Sequence, residues 1–280
     1  MTWWQAVFLG ALQGVTEFLP ISSSGHLVLF QHFFGMGESD TAQELFFDGV
    51  LHLGTLLAVV LYFRRDLLRA GPAATQDESQ AASFRSYRDW FYFLVLIGLA
   101  TIPAVAVTLV KSDAIKESFK LPRPVAINFL FLGALLLLTD RLKPGTTSGR
   151  ATRWWQALLI GCAQAVSAIL RGMSRSGSTI AMSLLVGLER TWAVRFSFML
   201  SVVASLGLGL LGIYKGLKDP LAADWLTAAF LTQTAVATLV SAAVGYATIG
   251  PLIALVRRAR LAWFAIYLWI VGIGTLVVLS

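Results

Sequence analysis

The 280-residue sequence predicts an all-α polytopic membrane protein with an inverted-topology repeat, each half a re-entrant helical hairpin plus three transmembrane helices. Three observations predict it. Hydrophobic residues make up 57% of the chain and charged residues 13%, with a mean hydropathy of +0.73, far more apolar surface than a soluble domain can bury. Residues 3–26 are echoed at 154–177, with nine identities in 24 positions including Trp3/Trp154, Trp4/Trp155, Gln5/Gln156, Gly10/Gly161, Gln13/Gln164 and Ser23/Ser174. Finally, each copy is followed by three apolar stretches, an odd number that sets the two copies in opposite orientations across a bilayer.

The elements follow in order. The amino terminus, Met1-Thr2-Trp3-Trp4, has no basic segment or small-residue cleavage site and reads as retained structure. Short apolar runs at 3–19 and 27–36 flank a Ser/Gly-rich turn, and 154–170 and 178–188 flank another. Neither run of a pair is long enough to cross alone, so each pair predicts a re-entrant hairpin buried in protein. Full spans are predicted at 45–63, 90–110, 124–139, 192–214, 225–246 and 262–279. The chain is one membrane domain over 1–280, with repeat one about 1–139 and repeat two about 150–280.

The loops 64–89, 140–153, 189–195 and 247–261 carry 14 Lys and Arg, against 6 in 111–123 and 215–224. The positive-inside rule puts the first set in the cytoplasm, so the first hairpin enters from the outer face and the second from the inner. The net charge of +7 is thereby accounted for by topology, and nucleic acid is excluded as a partner. The 64–89 loop, with Gly71-Pro72 and the polar run 75–79, reads as a flexible cytoplasmic connector. The single Cys162, in an apolar run, reads as a space-filling side chain.

The hairpin tips carry the chemistry. Glu17 is a carboxylate within an apolar hairpin, a functional residue by default, the plain alternative being a structural ion pair with an Arg of the other hairpin, and Gln13 lies one turn earlier on the same face. Together they suit a divalent cation or a proton. Pro20 ends the first helix before Ser22-Ser23-Ser24-Gly25-His26, where hydroxyls and helix-start N–H groups suit an anion. A serine beside His26 is also the minimum pair for an activated nucleophile, and an N-cap cluster with a satisfied histidine is the plain alternative. The second tip, Ser174-Arg175-Ser176-Gly177-Ser178-Thr179, offers a guanidinium fork among hydroxyls, as phosphate binding requires. Arg171 either snorkels to the interface or adds a second cation. Asp48 and His52, an i,i+4 pair, either extend the site or lie at the outer surface. Asp140, Arg141, Glu189 and Arg190 read as interfacial anchors.

Together the tips resemble the undecaprenyl-diphosphate phosphatase family of the bacitracin-resistance type. Gln13-x3-Glu17 with Ser22-Ser23-x-Gly25-His26 is similar to its first signature, and 171–179 to its second, with Arg171 where the family has Pro. The Phe47-Asp48…His52-Leu53-Gly54 segment is also similar, so the resemblance spans essentially the whole chain. It implies hydrolysis of undecaprenyl diphosphate to the monophosphate at the outer face of the bacterial inner membrane, with Mg²⁺ or Ca²⁺. This reaction recycles the carrier lipid of peptidoglycan synthesis, and bacitracin competes for that lipid. Lys116-x6-Arg123-Pro124 matches a motif of the acid-phosphatase-like lipid phosphatases by accident, because Ser24-Gly25-His26 precedes it and Ala181 stands where a His is required.

On this reading Arg175, Ser174, Ser176 and Thr179 hold the diphosphate, and Ser22 is a further substrate contact and the neighbouring candidate for the attack. Glu17, supported by Gln13, binds the cation or acts as base, and Ser23, assisted by His26, attacks the terminal phosphorus. His26 itself, or water activated by Glu17 and the metal, are the other attackers the same residues allow. The rival function is an inverted-repeat transporter or flippase of polyprenyl phosphate. Oligomeric state is left open, a homodimer included.

Overall fold

The computed structural model describes residues 1–33, 42–64, 87–110, 121–143, 145–258 and 260–280. The polar run of the 64–89 connector and Lys116 lie outside the described residues. The fold is all-α: among the described residues there is no strand, only an isolated bridge between Thr147 and Leu188.

In chain order the helices are α1 (Trp3–Phe18), α2 (Ser23–Phe33), α3 (Ala42–Tyr62), α4 (Tyr87–Val110) and α5 (Pro122–Asp140), then α6 (Trp154–Ile169), α7 (Arg175–Leu185), α8 (Arg190–Leu217), the single turn α9 (Ala222–Trp225), α10 (Ala228–Arg257) and α11 (Ala262–Val278). Five of them, α3, α4, α5, α8 and α10, are long and apolar enough to cross a bilayer. The chain is therefore a multi-pass membrane protein. Its outer surface agrees, with Phe91, Phe131, Leu239 and Ile270 each about two-thirds exposed, an apolar coat suited to lipid.

One boundary differs clearly from expectation. α10 has 30 residues and runs through Pro251 to Arg257, where a loop was predicted from 247. A proline within a membrane helix is tolerated because neighbouring helices meet the freed backbone groups, so Gly250-Pro251 is a weak stop signal here. α11 keeps the bounds predicted for the sixth span to within one residue, and its 17 residues reach about 26 Å.

α1 and α6 begin alike. Gln5 Oε1 accepts the N–H of Thr2 at 2.7 Å, and Gln156 Oε1 accepts that of Arg153 at 2.7 Å. α1 packs along α10 and α6 along α4, each through a glycine. A Cβ at Gly10 would strike the carbonyl of Ala237, and one at Gly161 that of Ala100. α3 crosses α8 at Gly49, where a Cβ would stand 3.0 Å from the Cα of Gly212. α5 packs on α11, and both short helices, α2 and α7, reach α5. The Asp140 carboxylate accepts the N–H groups of Leu261 and Ala262 at 3.0 and 3.2 Å, anchoring the start of α11. Glu189 caps α8 through Thr191 and Trp192. Asp140 has Arg190 for its cation, at 3.8 Å.

Candidate active site

The two turns are built alike, one residue out of step with the sequence repeat. In the first, Ser22 Oγ accepts the N–H of Gly25 at 3.2 Å and its carbonyl accepts that of His26. In the second, Ser174 Oγ accepts the N–H of Gly177 at 3.1 Å and its carbonyl accepts that of Ser178. Ser22 therefore corresponds to Ser174, and Ser23 to Arg175, because the second turn holds one residue more. The turns spend their positive φ differently: Ser22 itself lies at 71°, whereas Gly172 takes it up at 95° on the other side. The tips touch directly, since a Cβ on Gly25 would stand 3.0 Å from the Cα of Gly172. Ser176 Oγ reaches the carbonyls of Glu17 and Leu19 at 3.3 and 3.1 Å.

Glu17 is the meeting point. It is buried, and Arg175 Nη2 donates to its Oε1. Ser23 Oγ donates to its Oε2 at 2.8 Å, and Gln13 Nε2 to the same oxygen at 3.0 Å. Corresponding positions of the two turns thus place a hydroxyl and a guanidinium on opposite oxygens of one carboxylate. Burying such an ion pair carries a desolvation cost that a packing role alone does not justify.

His26 lies elsewhere in the network. Its Nδ1 is 2.8 Å from the carbonyl of Ser22, which only accepts, so Nδ1 carries the hydrogen. Its Nε2 is 2.7 Å from the hydroxyl of Tyr267, and its ring lies between Phe129 and Tyr267. The expected Ser23–His26 pair is not formed: Ser23 is turned to Glu17, and both histidine nitrogens are engaged.

The expected phosphate cradle is only partly open to a ligand. Ser174 and Ser176 are buried and bonded to each other at 3.0 Å, with Ser176 also clasping the first tip. Thr179 Oγ1 reaches the carbonyl of Arg175 and Ser197 Oγ, the latter at 2.6 Å, joining α7 to α8. Arg175 is half-buried, and Ser24, beside Ser23, is exposed. Arg171 is half-buried, with its carbonyl held by Asn128 Nδ2 at 2.7 Å and its charge within electrostatic reach of Asp48.

Sequence reasoning left His52 open, and the structure brings its Nε2 to 3.7 Å from Glu17 Oε2. It missed Tyr267 and Asn128, which approach the tips from helices far away in the chain. Only the Asp48-x3-His52 spacing offered a signal. Among the described residues no three His, Cys, Asp or Glu side chains converge as a metal cluster. A carboxylate has about four lone-pair directions, of which Arg175, Ser23 and Gln13 use three. One carboxylate and one amide oxygen suit a hard cation whose remaining ligands are phosphate and water.

The model of the family described as bacitracin resistance protein BacA matches residues 6–274. The chain belongs to this family. It is 41% identical over 265 residues to an undecaprenyl-diphosphatase of Rubrobacter xylanophilus, covering 94% of this chain and 93% of that protein. It is 38% identical over 276 residues to one of Alcanivorax borkumensis, covering 99% and 98%. A third, from Carboxydothermus hydrogenoformans, is 34% identical over 277 residues, covering 99% and 97%. Both turns and every Glu17 partner named above fall within the span matched by the BacA family.

Proposed function

We propose that this chain is an undecaprenyl-diphosphatase, a membrane hydrolase that converts the lipid diphosphate to its monophosphate and inorganic phosphate. The observation that carries the mechanism is the Ser23 hydroxyl donating to Glu17 while Arg175 of the other tip holds the same carboxylate. In this reading Ser23 Oγ bonds to the terminal phosphorus as its proton passes to Glu17. The bond from that phosphorus to the bridging oxygen breaks, and the lipid monophosphate leaves with the electron pair. Water then attacks the phosphoserine, Ser23 recovers a proton, and phosphate departs. Arg175 exchanges part of its contact with Glu17 for phosphate oxygens, neutralising charge where it is transferred. In the alternative in which water attacks, Glu17 and Gln13 would instead hold Mg²⁺ or Ca²⁺, whose positive charge would stabilise the diphosphate oxygens. The engaged nitrogens of His26 favour a supporting role over attack.

The lipid tail stays in the bilayer and the head group enters beside exposed Ser24. The exposed Trp3 and Trp4 at the start of α1, and Trp154 and Trp155 at the start of α6, suit aromatic belts at opposite interfaces. With the loop charges, this supports two re-entrant hairpins of inverted orientation and a site opening to the periplasmic side of the bacterial inner membrane. Bacitracin would then compete for the same diphosphate. A homodimer is compatible with this arrangement.

The test is phosphate release from farnesyl or undecaprenyl diphosphate by the purified protein in detergent. Ser23→Ala is expected to lose at least about a hundredfold in turnover, as removal of a nucleophile does. Unchanged turnover in that variant sinks the serine mechanism. Lipid binding without release, across several divalent cations, would favour the transporter.

A further inference from the structure

His52 is not used by the mechanism above, yet its placement is over-determined. Its Nδ1 lies 2.7 Å from the backbone carbonyl of Asp48, one turn back on α3. A carbonyl only accepts, so Nδ1 holds the hydrogen and the ring cannot turn without breaking that bond. This leaves Nε2 pointing out of α3 toward α1, 3.7 Å from Glu17 Oε2, the oxygen that Ser23 and Gln13 also contact. Thr55 Oγ1 fixes the same turn by donating to the His52 carbonyl at 2.9 Å. The imidazole is only 20% exposed, so it is part of the wall around the carboxylate.

We infer that His52 is a positioning residue whose ring stands against the Oε2 edge of Glu17 and limits its swing away from Ser23. A carboxylate swings freely about its last torsion. Arg175 fixes Oε1, but rotation about that contact still carries Oε2 away from the serine hydroxyl. Gln13 blocks the swing along α1, and His52 blocks it from α3. The gain falls on the step in which Ser23 gives up its proton, so it belongs to turnover and not to substrate affinity. The inference rests on the assignment of Glu17 as the base for Ser23.

The test compares His52→Gln with His52→Asn in the full-length protein, with Glu17→Gln alongside and farnesyl diphosphate as substrate. Both replacements are neutral amides of similar polarity. Gln carries its amide group about as far from the backbone as His Nε2, whereas Asn reaches only the place of Nδ1. His52→Gln is expected to keep kcat within about threefold of the parent, and His52→Asn to lose about tenfold with KM within about twofold, a loss expected of one misaligned group. Equal kcat for the two variants, whether high or low, overturns the inference, as does a loss confined to KM. Should Glu17→Gln itself retain turnover, the assignment of the base fails first. Matching thermal midpoints for the two variants establish that folding is not the cause.

Discussion

At the scale of single residues, Glu17 organises the site because its two oxygens are divided between partners from different parts of the chain. Arg175 holds one, and Ser23 and Gln13 the other. Replacing Arg175 by Lys keeps the charge but loses the planar fork, and phosphate release is expected to fall at least about tenfold in kcat/KM. Activity equal to the parent would show that only charge matters there. Tyr267→Phe removes the hydroxyl on His26 Nε2. One buried hydrogen bond is worth about 1 kcal/mol, so turnover is expected to drop about three- to tenfold, and an unchanged kcat would detach Tyr267 from the site. Thr179→Val severs the bond to Ser197 between α7 and α8. It is expected to cost about 1–3 kcal/mol of stability with little change in KM, the reverse of what a phosphate ligand would do. The types of these residues were legible: a carboxylate, an arginine and serines in apolar hairpins announce a site. Which hydroxyl reaches Glu17 was not, because Ser23 and Thr179 look equally polar in sequence and differ only in what packs against them.

At the scale of elements, the repeat identities divide into two kinds. Gln5/Gln156 and Gly10/Gly161 do the same work twice, starting a helix and admitting a close neighbour. Gln13/Gln164 and Ser23/Ser174 do not: Gln13 bonds to Glu17, Gln164 stands one turn before Ala168, and Ser174 takes the place of Ser22. An ungapped alignment could not reveal this, since the extra residue of the second turn changes no hydrophobic pattern. Gly161→Ala is expected to lower the thermal midpoint in detergent, by about 1–3 kcal/mol of overpacking, because the methyl meets the Ala100 carbonyl. Gly98→Ala, on the partner helix α4 with open space around it, is the control and gains helix propensity instead. Equal midpoints for the two variants would mean that α4 and α6 are not so closely packed. Spans were well placed by hydropathy, and only the end of α10 was missed by more than about a turn. α10 passes through Pro251 since helix neighbours, and not local propensity, decide where a buried helix stops.

At the scale of the molecule, the membrane orientation is a prediction that labelling tests. Thr2→Cys and Arg153→Cys, each in a Cys162→Ser background, sit at the starts of α1 and α6. A membrane-impermeant thiol reagent applied to intact spheroplasts is expected to label the first, and the second only after permeabilisation. Labelling of both from outside would remove the inverted reading.

The sequence by itself determined that this chain lies in a membrane, that residues 3–26 and 154–177 are related, and that both segments carry polar turns with a carboxylate, hydroxyls and an arginine among them. Composition and local spacing suffice for that, because hydropathy and helix period are properties of neighbouring residues. Only the tertiary structure decided that Ser23 turns to Glu17 and not to His26, that Arg175 reaches across 158 residues to the same carboxylate, and that Tyr267 closes off the histidine from 241 residues away. Those pairings arise from helix packing, in which glycine contacts set how closely the backbones approach and so which side chains meet.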